Sequence, residues 1–518
     1  GLNAFQVSVC HGVTGSGKTE VYIQAIQRVL EAGKQVLVLV PEIGLTPQTI
    51  ERFKKRCASP VVCMHSKMTD YERGQSWQWA KDGKVGIVIA TRSGVFSEFK
   101  NLGMIILDEE HDASFKQQSG VRYHARDVAI MRAKIENIPV LLGSATPSLE
   151  TLEHMKSGRF KALYLSQRAG AAKPCHHYLI DMRQGVINAG LSQQLLDKMA
   201  VHLASNNQVL IFINRRGFAP TLMCHDCGWV ANCTRCEAGY TLHQSPQQLC
   251  CHHCGVVTKV MTHCETCQSA EISPVGVGTE QIEVYLKEYF KDHEVLRLDR
   301  DSTSKKGELD AALSQIHNHQ ADIIIGTQMI AKGHHFSKVT MVGIINVDGS
   351  LFSSDFRALE KMGQLIVQVS GRAGREATQG EVYLQTCQPD HPLLLKLLEK
   401  GYSQFSEEIL LERAISKWPP YGYVAIIRAE AIRLEDASQL LINVQNDLRK
   451  EMESKVLIYG PLPGLRPKKA GLYRQMLVLK SESRKHLHQA VGFIQHQLLL
   501  QKKGAARWSI DVDPQEMM

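Results

Sequence analysis

The chain has 518 residues, a formal net charge of +8 and 44% hydrophobic residues, too long for one ordinary core, so two to four domains are expected. Its longest apolar runs, residues 36–40 and 104–107, are strand-length and fall far short of the roughly 20 residues that cross a bilayer. The first residues carry no basic-then-apolar signal, so a soluble, cytoplasmic protein is expected, and the charge excess permits a polyanionic partner without requiring one.

In chain order, a strand-like run at 5–10 leads into GVTGSGKTEVY, a full match to G-x-x-x-x-G-K-[ST]. A helix is expected to follow. Gly12, Gly15 and Gly17 let backbone N–H groups close around phosphate, Lys18 offers a cation to the terminal phosphates, and Thr19 offers a hydroxyl to Mg²⁺ at the helix N-terminus. ATP with Mg²⁺ is the expected ligand, against the plainer reading of a Gly-rich strand-to-helix turn. The runs VLVLVPEIGLTPQ and VGIVIATRSGVF are strands ending in polar turns.

Next, MIILDEEHD delivers Asp108, Glu109, Glu110 and His111 to the C-terminal end of a strand, where parallel sheets hold ligands. Asp108 is the expected Mg²⁺ partner. Glu109 is the expected group to orient or deprotonate the attacking water. HDASFKQQSGVRYHARD then interleaves Phe115, Lys116, Tyr123, His124 and Arg126, aromatic faces for bases and cations for phosphates. A loop whose aromatics are buried is the alternative. PVLLGSATPS closes this first parallel, doubly wound lobe, residues 1–165.

A second α/β series, 166–222 with 271–415, runs through VLIFINRRGFAP, EVLRLDRD, DIIIGTQMIAKGHHF, TMVGIINVD and EVYLQT. Its QVSGRAGR places Gln368, Arg372 and Arg375 on one short element, and Arg372 and Arg375, three apart, can share a helix face. Two guanidiniums on a phosphate suit phosphoryl transfer, and arginines supplied by the opposing lobe would couple closure to hydrolysis.

Between these strands, residues 223–270 hold four Cys-x-x-Cys pairs: Cys224/Cys227, Cys233/Cys236, Cys251/Cys254 and Cys264/Cys267. In a reducing compartment, paired cysteines point to metal rather than disulfides, and eight thiolates suffice for two tetrahedral S₄ zinc sites. Fourteen residues separate Cys236 from Cys251, room for a hairpin, whereas only five part Cys227 from Cys233. A nested arrangement follows: the inner four on one Zn²⁺, and Cys224, Cys227, Cys264 and Cys267 on the other. Iron–sulfur ligation is the alternative. With no open coordination position, such zinc is structural.

After KWPPYGY, residues 416–518 read as strand, helix, strand, strand, helix, strand: VAIIRAEA, 436–452, VLIYG, YRQMLVLK, 483–500 and WSIDV. That is a split βαβ pattern.

GVTGSGKT, DEEH, GSAT, GTQMIAKGHHF and QVSGRAGR, in this order, resemble the superfamily 2 helicase motifs. With the inserted cysteine pairs and the runs PEIGLTPQT, ATRSGVFSEFKNLG, FINRRGFAP, VGVGTEQ and RWSIDVDP, the whole chain resembles the bacterial replication-restart helicases of the PriA (primosomal protein N′) family. The resemblance implies an α/β fold with two RecA-like parallel-sheet lobes, a two-zinc module inserted in the second, and a small α+β, S10-like C-terminal domain. It implies an ATP-dependent helicase translocating 3′ to 5′, acting on branched or forked and single-stranded DNA. Implied partners are single-stranded-DNA-binding protein and the primosome proteins PriB and DnaT.

The same resemblance gives the 115–126 loop a role in linking DNA to the ATPase site, with Val121 where the family commonly has tryptophan. It assigns strand contacts to Thr91 and Arg92, and to Thr46 and Gln48. The family's acidic-tail site lies near 471–476, where this chain reads Gly-Leu-Tyr-Arg-Gln-Met rather than Gly-Arg-Tyr-Arg followed by Trp-Gln. The N-terminal DNA-binding and winged-helix domains of the family are expected to be missing from this sequence. The residues alone leave open another superfamily 2 repair helicase, RecG-like or RecQ-like, or a zinc-dependent scaffold with an idle P-loop.

Overall fold

A computed structural model describes the chain except for residues 1–3, 42–46, 168–174, 184–186, 215–221, 225, 235–239, 245–246, 252–255, 275–278, 300–301, 304–306, 329, 331–335, 375–378, 453–454, 501–503 and 518. It falls into two compact units. Unit 1 is Gly1–Cys175 with Met329–Ser337 and Val367–Gly380; unit 2 is His176–Gln328, Lys338–Ile366 and Glu381–Met518.

Unit 1 is built on a seven-stranded sheet in the spatial order Val61–Met64, Ile87–Ala90, Gln35–Leu39, Leu102–Asp108, Val140–Ser144, Val7–Gly12, Lys161–Leu165. Every pairing in it is parallel. The central strands are continuous apolar runs such as Gln35–Leu39, buried at every position, because helices cover both faces. Two apolar clusters record those faces, one with Val9, Leu37 and Leu107, the other with Cys10, Val38 and Ile106. Alternation along each strand divides neighbours between them.

Unit 2 holds a second all-parallel sheet, in the order Val295–Leu298, Ile323–Gly326, Gln208–Ile213, Val339–Ile345, Glu381–Thr386, His176–Asp181. The cysteine module is inserted into it as an antiparallel pair, Leu222–Cys224 with Ile272–Pro274, and a three-stranded sheet of Thr241–Gln244, Gln247–Cys250 and Val257–Thr258. The hairpin between the inner cysteine pairs is therefore present. The module also has a small apolar core, with Leu222, Tyr240, Leu242 and Leu249 around Cys233 and Cys251.

The C-terminal sheet is antiparallel in the order Leu457–Lys469, Leu472–Ser481, Tyr423–Ala431, Arg507–Val512. Helices Leu434–Met452 and Arg484–Leu500 lie on it. This is the strand–helix–strand–strand–helix–strand order expected from the pattern. Among the described residues no helix is long and apolar enough to cross a membrane.

Candidate active site and metal centre

The strand Val7–Gly12 ends in a tight loop that turns into helix Lys18–Glu31. Gly15 and Gly17 have φ of +80° and +87°, and a β-carbon at either would meet nothing within 4 Å. Glycine is thus required by backbone conformation, and the open space beside it lets a ligand approach the amides. Gly17 caps the helix without a side-chain hydrogen bond, so the positive helix end faces the loop unscreened. Ser16 Oγ is buried with no partner, and Lys18 Nζ donates to Gly12 O at 2.9 Å. A buried orphan hydroxyl, free amides and a lysine folded over the loop are the chemistry of a phosphate cradle. Thr19, the next residue, is half-buried in the first turn.

Asp108 closes the strand Leu102–Asp108. Its Oδ1 accepts from Tyr22 Oη at 2.9 Å and from the Glu109 amide at 3.1 Å. Burial first, then the adjacent Glu109 carboxylate, raises the Asp108 carboxyl to about 6, against the pull of Lys18 and the Tyr22 hydroxyl. A divalent cation would reverse that balance.

The two glutamates that follow are not equivalent. Glu109 sits at φ +49°, a left-handed conformation uncommon for a non-glycine residue; its side chain is 34% exposed, and Oε2 has no hydrogen-bond partner. Glu110 is wholly buried. It accepts from the Ser148 amide at 2.7 Å, Thr151 Oγ1 at 3.0 Å and Arg126 Nη1 at 3.0 Å.

His111 joins three sequence motifs. Its Nδ1 lies 2.7 Å from Ser144 Oγ and 3.7 Å from Glu109 Oε2, and its Nε2 meets the Gln368 carboxamide nitrogen. With that amide donating, the ring proton sits on Nδ1 and is given to Ser144. Gln368 lies on helix Ala358–Ser370, and its segment Val367–Gly380 belongs to unit 1. Gly371 there packs on Thr14 of the loop, so that a β-carbon would come 2.8 Å from Thr14 Cγ2. Arg372 follows, half-buried; Arg375 lies outside the described residues.

The loop after Asp108 departs from expectation. Phe115 is completely buried in the unit 1 core, Lys116 is 2% exposed, and Arg126 is held by Glu110, Ser148 and Asp127. Thr91 is 5% exposed, and Arg92 Nη1 donates to the Ser114 and Lys116 carbonyls at 2.7 and 2.9 Å. Phe115, Lys116, Arg126, Thr91 and Arg92 thus all take part in building the loop and its surroundings. Tyr123 is half-buried, with its ring edge-on to the exposed Phe96. Burial lowers His124 to about 4, leaving a neutral ring that accepts from the Arg126 amide. What reaches solvent is the tip at 118–121, including Val121. Thr46 lies outside the described residues, as does the side chain of Gln48.

In unit 2, Cys224, Cys227, Cys264 and Cys267 offer sulfurs that all lie within 4.8 Å of one another, a set able to hold a metal ion. Burial pushes Cys264 up, but the Cys267 and Thr266 amides donating to its sulfur and the Cys227 thiol outweigh that and bring it to about 7. Burial pushes Cys227 of the same set up to about 12, so it is the gathering of the four sulfurs, not the acidity of one thiol, that suits them to a metal. Cys233 and Cys251 share one buried cluster; Cys236 and Cys254 lie outside the described residues.

Family models match in the order of these elements: DEAD/DEAH box helicase over residues 3–155, helicase conserved C-terminal domain over 244–377, and primosomal protein N C-terminal domain over 414–515. A phosphate cradle, an acidic strand end and two parallel sheets with these matches define a helicase motor of superfamily 2, a class that uses ATP and Mg²⁺. The replication restart protein PriA of Haemophilus influenzae is 49% identical over 99% of this chain and 70% of its own length, and that of Bacillus subtilis 38% identical over 99% and 64%. The chain belongs to the PriA family. It spans about two thirds of the length of these relatives. A solved RecG bound to a three-way DNA junction is similar at 16% identity and a TM-score of 0.46, over 78% of this chain and 44% of that one.

Tyr22 is the site residue that motif reading passed over, and Ser144, inside GSAT, was given no role of its own. Tyr22 stood inside GSGKTEVY, and its helical offset from Lys18 was the signal that its ring turns toward the sheet.

Proposed function

We propose that this chain is the motor and C-terminal part of an ATP-driven DNA helicase that recognises stalled or branched replication forks and begins primosome assembly for replication restart, moving 3′ to 5′. The observation that carries the reading is the gathering of Lys18, Asp108, Glu109, His111, Ser144 and Gln368 within one compact unit. An idle phosphate-binding scaffold has no use for a glutamate held in a left-handed conformation beside a buried histidine relay.

In this reading the loop amides and Lys18 hold the phosphates, while Thr19 and Asp108 hold Mg²⁺. The ion, when bound, offsets charge on the phosphoryl group being transferred. Glu109, with an oxygen that accepts no hydrogen bond, takes the proton of the attacking water or orients it. Glu110 is committed to Arg126 and does not compete for that role. His111 carries a change at Ser144 or Glu109 to Gln368, and Arg372 and Arg375 receive developing phosphate charge. The outer and inner cysteine sets hold one structural Zn²⁺ each. Forked and single-stranded DNA are the substrates, single-stranded-DNA-binding protein, PriB and DnaT the partners, and the cytoplasm at the nucleoid the place of action.

Phosphate release measured with and without a forked DNA tests the proposal. Turnover should rise with the fork, and Lys18→Ala should abolish turnover while fork binding stays within a few-fold of the parent. Turnover indifferent to DNA, or equal loss of both properties in Lys18→Ala, sinks it.

A further inference from the structure

Tyr22 lies just beyond the first turn of helix Lys18–Glu31, and it is 1% exposed. A buried tyrosine packs its ring for apolar reasons, but its hydroxyl must find a partner. Here the partner is Asp108, reached across 86 residues of sequence at 2.9 Å. Both hydrogen bonds recorded at that carboxylate, from Tyr22 and from the Glu109 amide, arrive at Oδ1. The second oxygen, Oδ2, accepts no hydrogen bond among the described residues.

An independent observation comes from the neighbouring strand. Gly143 pairs in register with Asp108 on one side and with Cys10 on the other. A β-carbon at Gly143 would stand 1.6 Å from the Tyr22 hydroxyl oxygen and 2.6 Å from Cζ. Any side chain there expels the hydroxyl. The sheet is open at the one position over which Tyr22 passes to reach the carboxylate, which apolar packing of the ring alone does not require.

We infer that Tyr22 is a positioning residue for the divalent cation: its hydroxyl, seated over Gly143, fixes the Asp108 carboxylate so that Oδ2 is presented to the metal. This rests on the reading of Asp108 as a cation ligand. Groups that orient a ligating carboxylate typically contribute about 10–100-fold to metal affinity, and with the Glu109 amide still in place about tenfold is expected here.

The test uses the full chain with Tyr22→Phe, Gly143→Ala and Asp108→Asn. Mg²⁺ half-saturation of ATP turnover is measured, together with binding of a fluorescent ADP in Mg²⁺ and in EDTA. Tyr22→Phe keeps the ring in the core and should raise Mg²⁺ half-saturation about tenfold. The gain in ADP affinity on adding Mg²⁺ should shrink by a similar factor while affinity in EDTA stays as in the parent. Gly143→Ala, which displaces the hydroxyl by another route, should shift half-saturation the same way. A parental Mg²⁺ response in Tyr22→Phe, with only a lower melting temperature, overturns the inference. If Asp108→Asn also responds normally, the reading of Asp108 itself has failed; if only Asp108→Asn loses the response, the inference about Tyr22 alone has failed.

Discussion

Glu109 and Glu110 are chemically identical neighbours whose surroundings assign them opposite work. The left-handed backbone at Glu109 costs on the order of 1–3 kcal/mol, and what it achieves is to turn one carboxylate out beside His111 while the next points into the protein. Inside, Glu110 neutralises Arg126 and ties the turn at Ser148 and Thr151 to the strand end. Glu109→Gln should bind ATP and lower turnover by roughly 10²–10⁴-fold, the usual contribution of general base catalysis. Glu110→Gln should instead lower the stability of unit 1, since breaking a buried ion pair costs about 3–5 kcal/mol. Denaturant unfolding and turnover per folded molecule separate the two. A stable Glu110→Gln protein without turnover would mean that the roles are exchanged. DEEH as a string favours Glu109 only through its adjacency to Asp108; the dihedral and the buried arginine that fix the choice are tertiary facts.

Elements were legible wherever a local period or spacing was itself the physical cause. The parallel strands are unbroken apolar runs because both faces are covered. The C-terminal pattern reproduces its strand order because each amphipathic helix must return to one sheet. The fourteen-residue spacer between Cys236 and Cys251 is long enough for the hairpin now seen as Thr241–Gln244 and Gln247–Cys250. The loop at 115–126 was not legible in the same way. Interleaved aromatic and basic residues look alike whether they face a nucleic acid or fold inward, and their placement turns on which side chains Glu110 and Arg92 hold, a choice the spacing does not fix. For the cysteines the nested pairing makes a quantitative demand. Cys264→Ser and Cys224→Ser should each release one zinc per chain, and the double variant no more than either, since one ligand lost from an S₄ site already breaks its geometry. Cys233→Ser with Cys251→Ser should behave likewise on the second ion. Metal analysis of single and double variants decides; a double that releases twice as much as its singles puts the two cysteines on different ions.

At the scale of the molecule, the C-terminal sheet is secured within unit 2 by a small set of charged and aromatic side chains. Glu360, with 4% of its side chain exposed, receives Arg413 Nη2 at 2.9 Å and Arg357 Nη1 at 3.5 Å. Arg413 also donates to the Pro419 carbonyl at 2.8 Å, and Arg357 Nε to the Pro514 carbonyl at 2.9 Å. Over them Phe356 stacks on Trp418 at 4.7 Å, and Lys480 Nζ of the C-terminal sheet lies 4.7 Å from the centroid of that indole. Domains joined through small polar interfaces ordinarily move apart; here buried charge pairs and a stacked aromatic pair, each aromatic contact worth about 0.5–1.5 kcal/mol beyond its area, make the join part of the core. Arg413→Ala should therefore destabilise unit 2 by about 3–5 kcal/mol, because Glu360 is left buried with its weaker partner alone. Replacing the whole set, as Arg413→Met and Arg357→Met with Glu360→Leu, should cost less than Arg413→Ala, since none of the three buried charges then remains. Denaturant unfolding followed by tryptophan emission measures both. In Arg413→Ala the C-terminal sheet, which carries Trp508 and packs Trp418, should unfold in a separate, earlier transition. A single transition at the parental midpoint would show that the aromatic stack, and not the ion pairs, holds the C-terminal sheet in place.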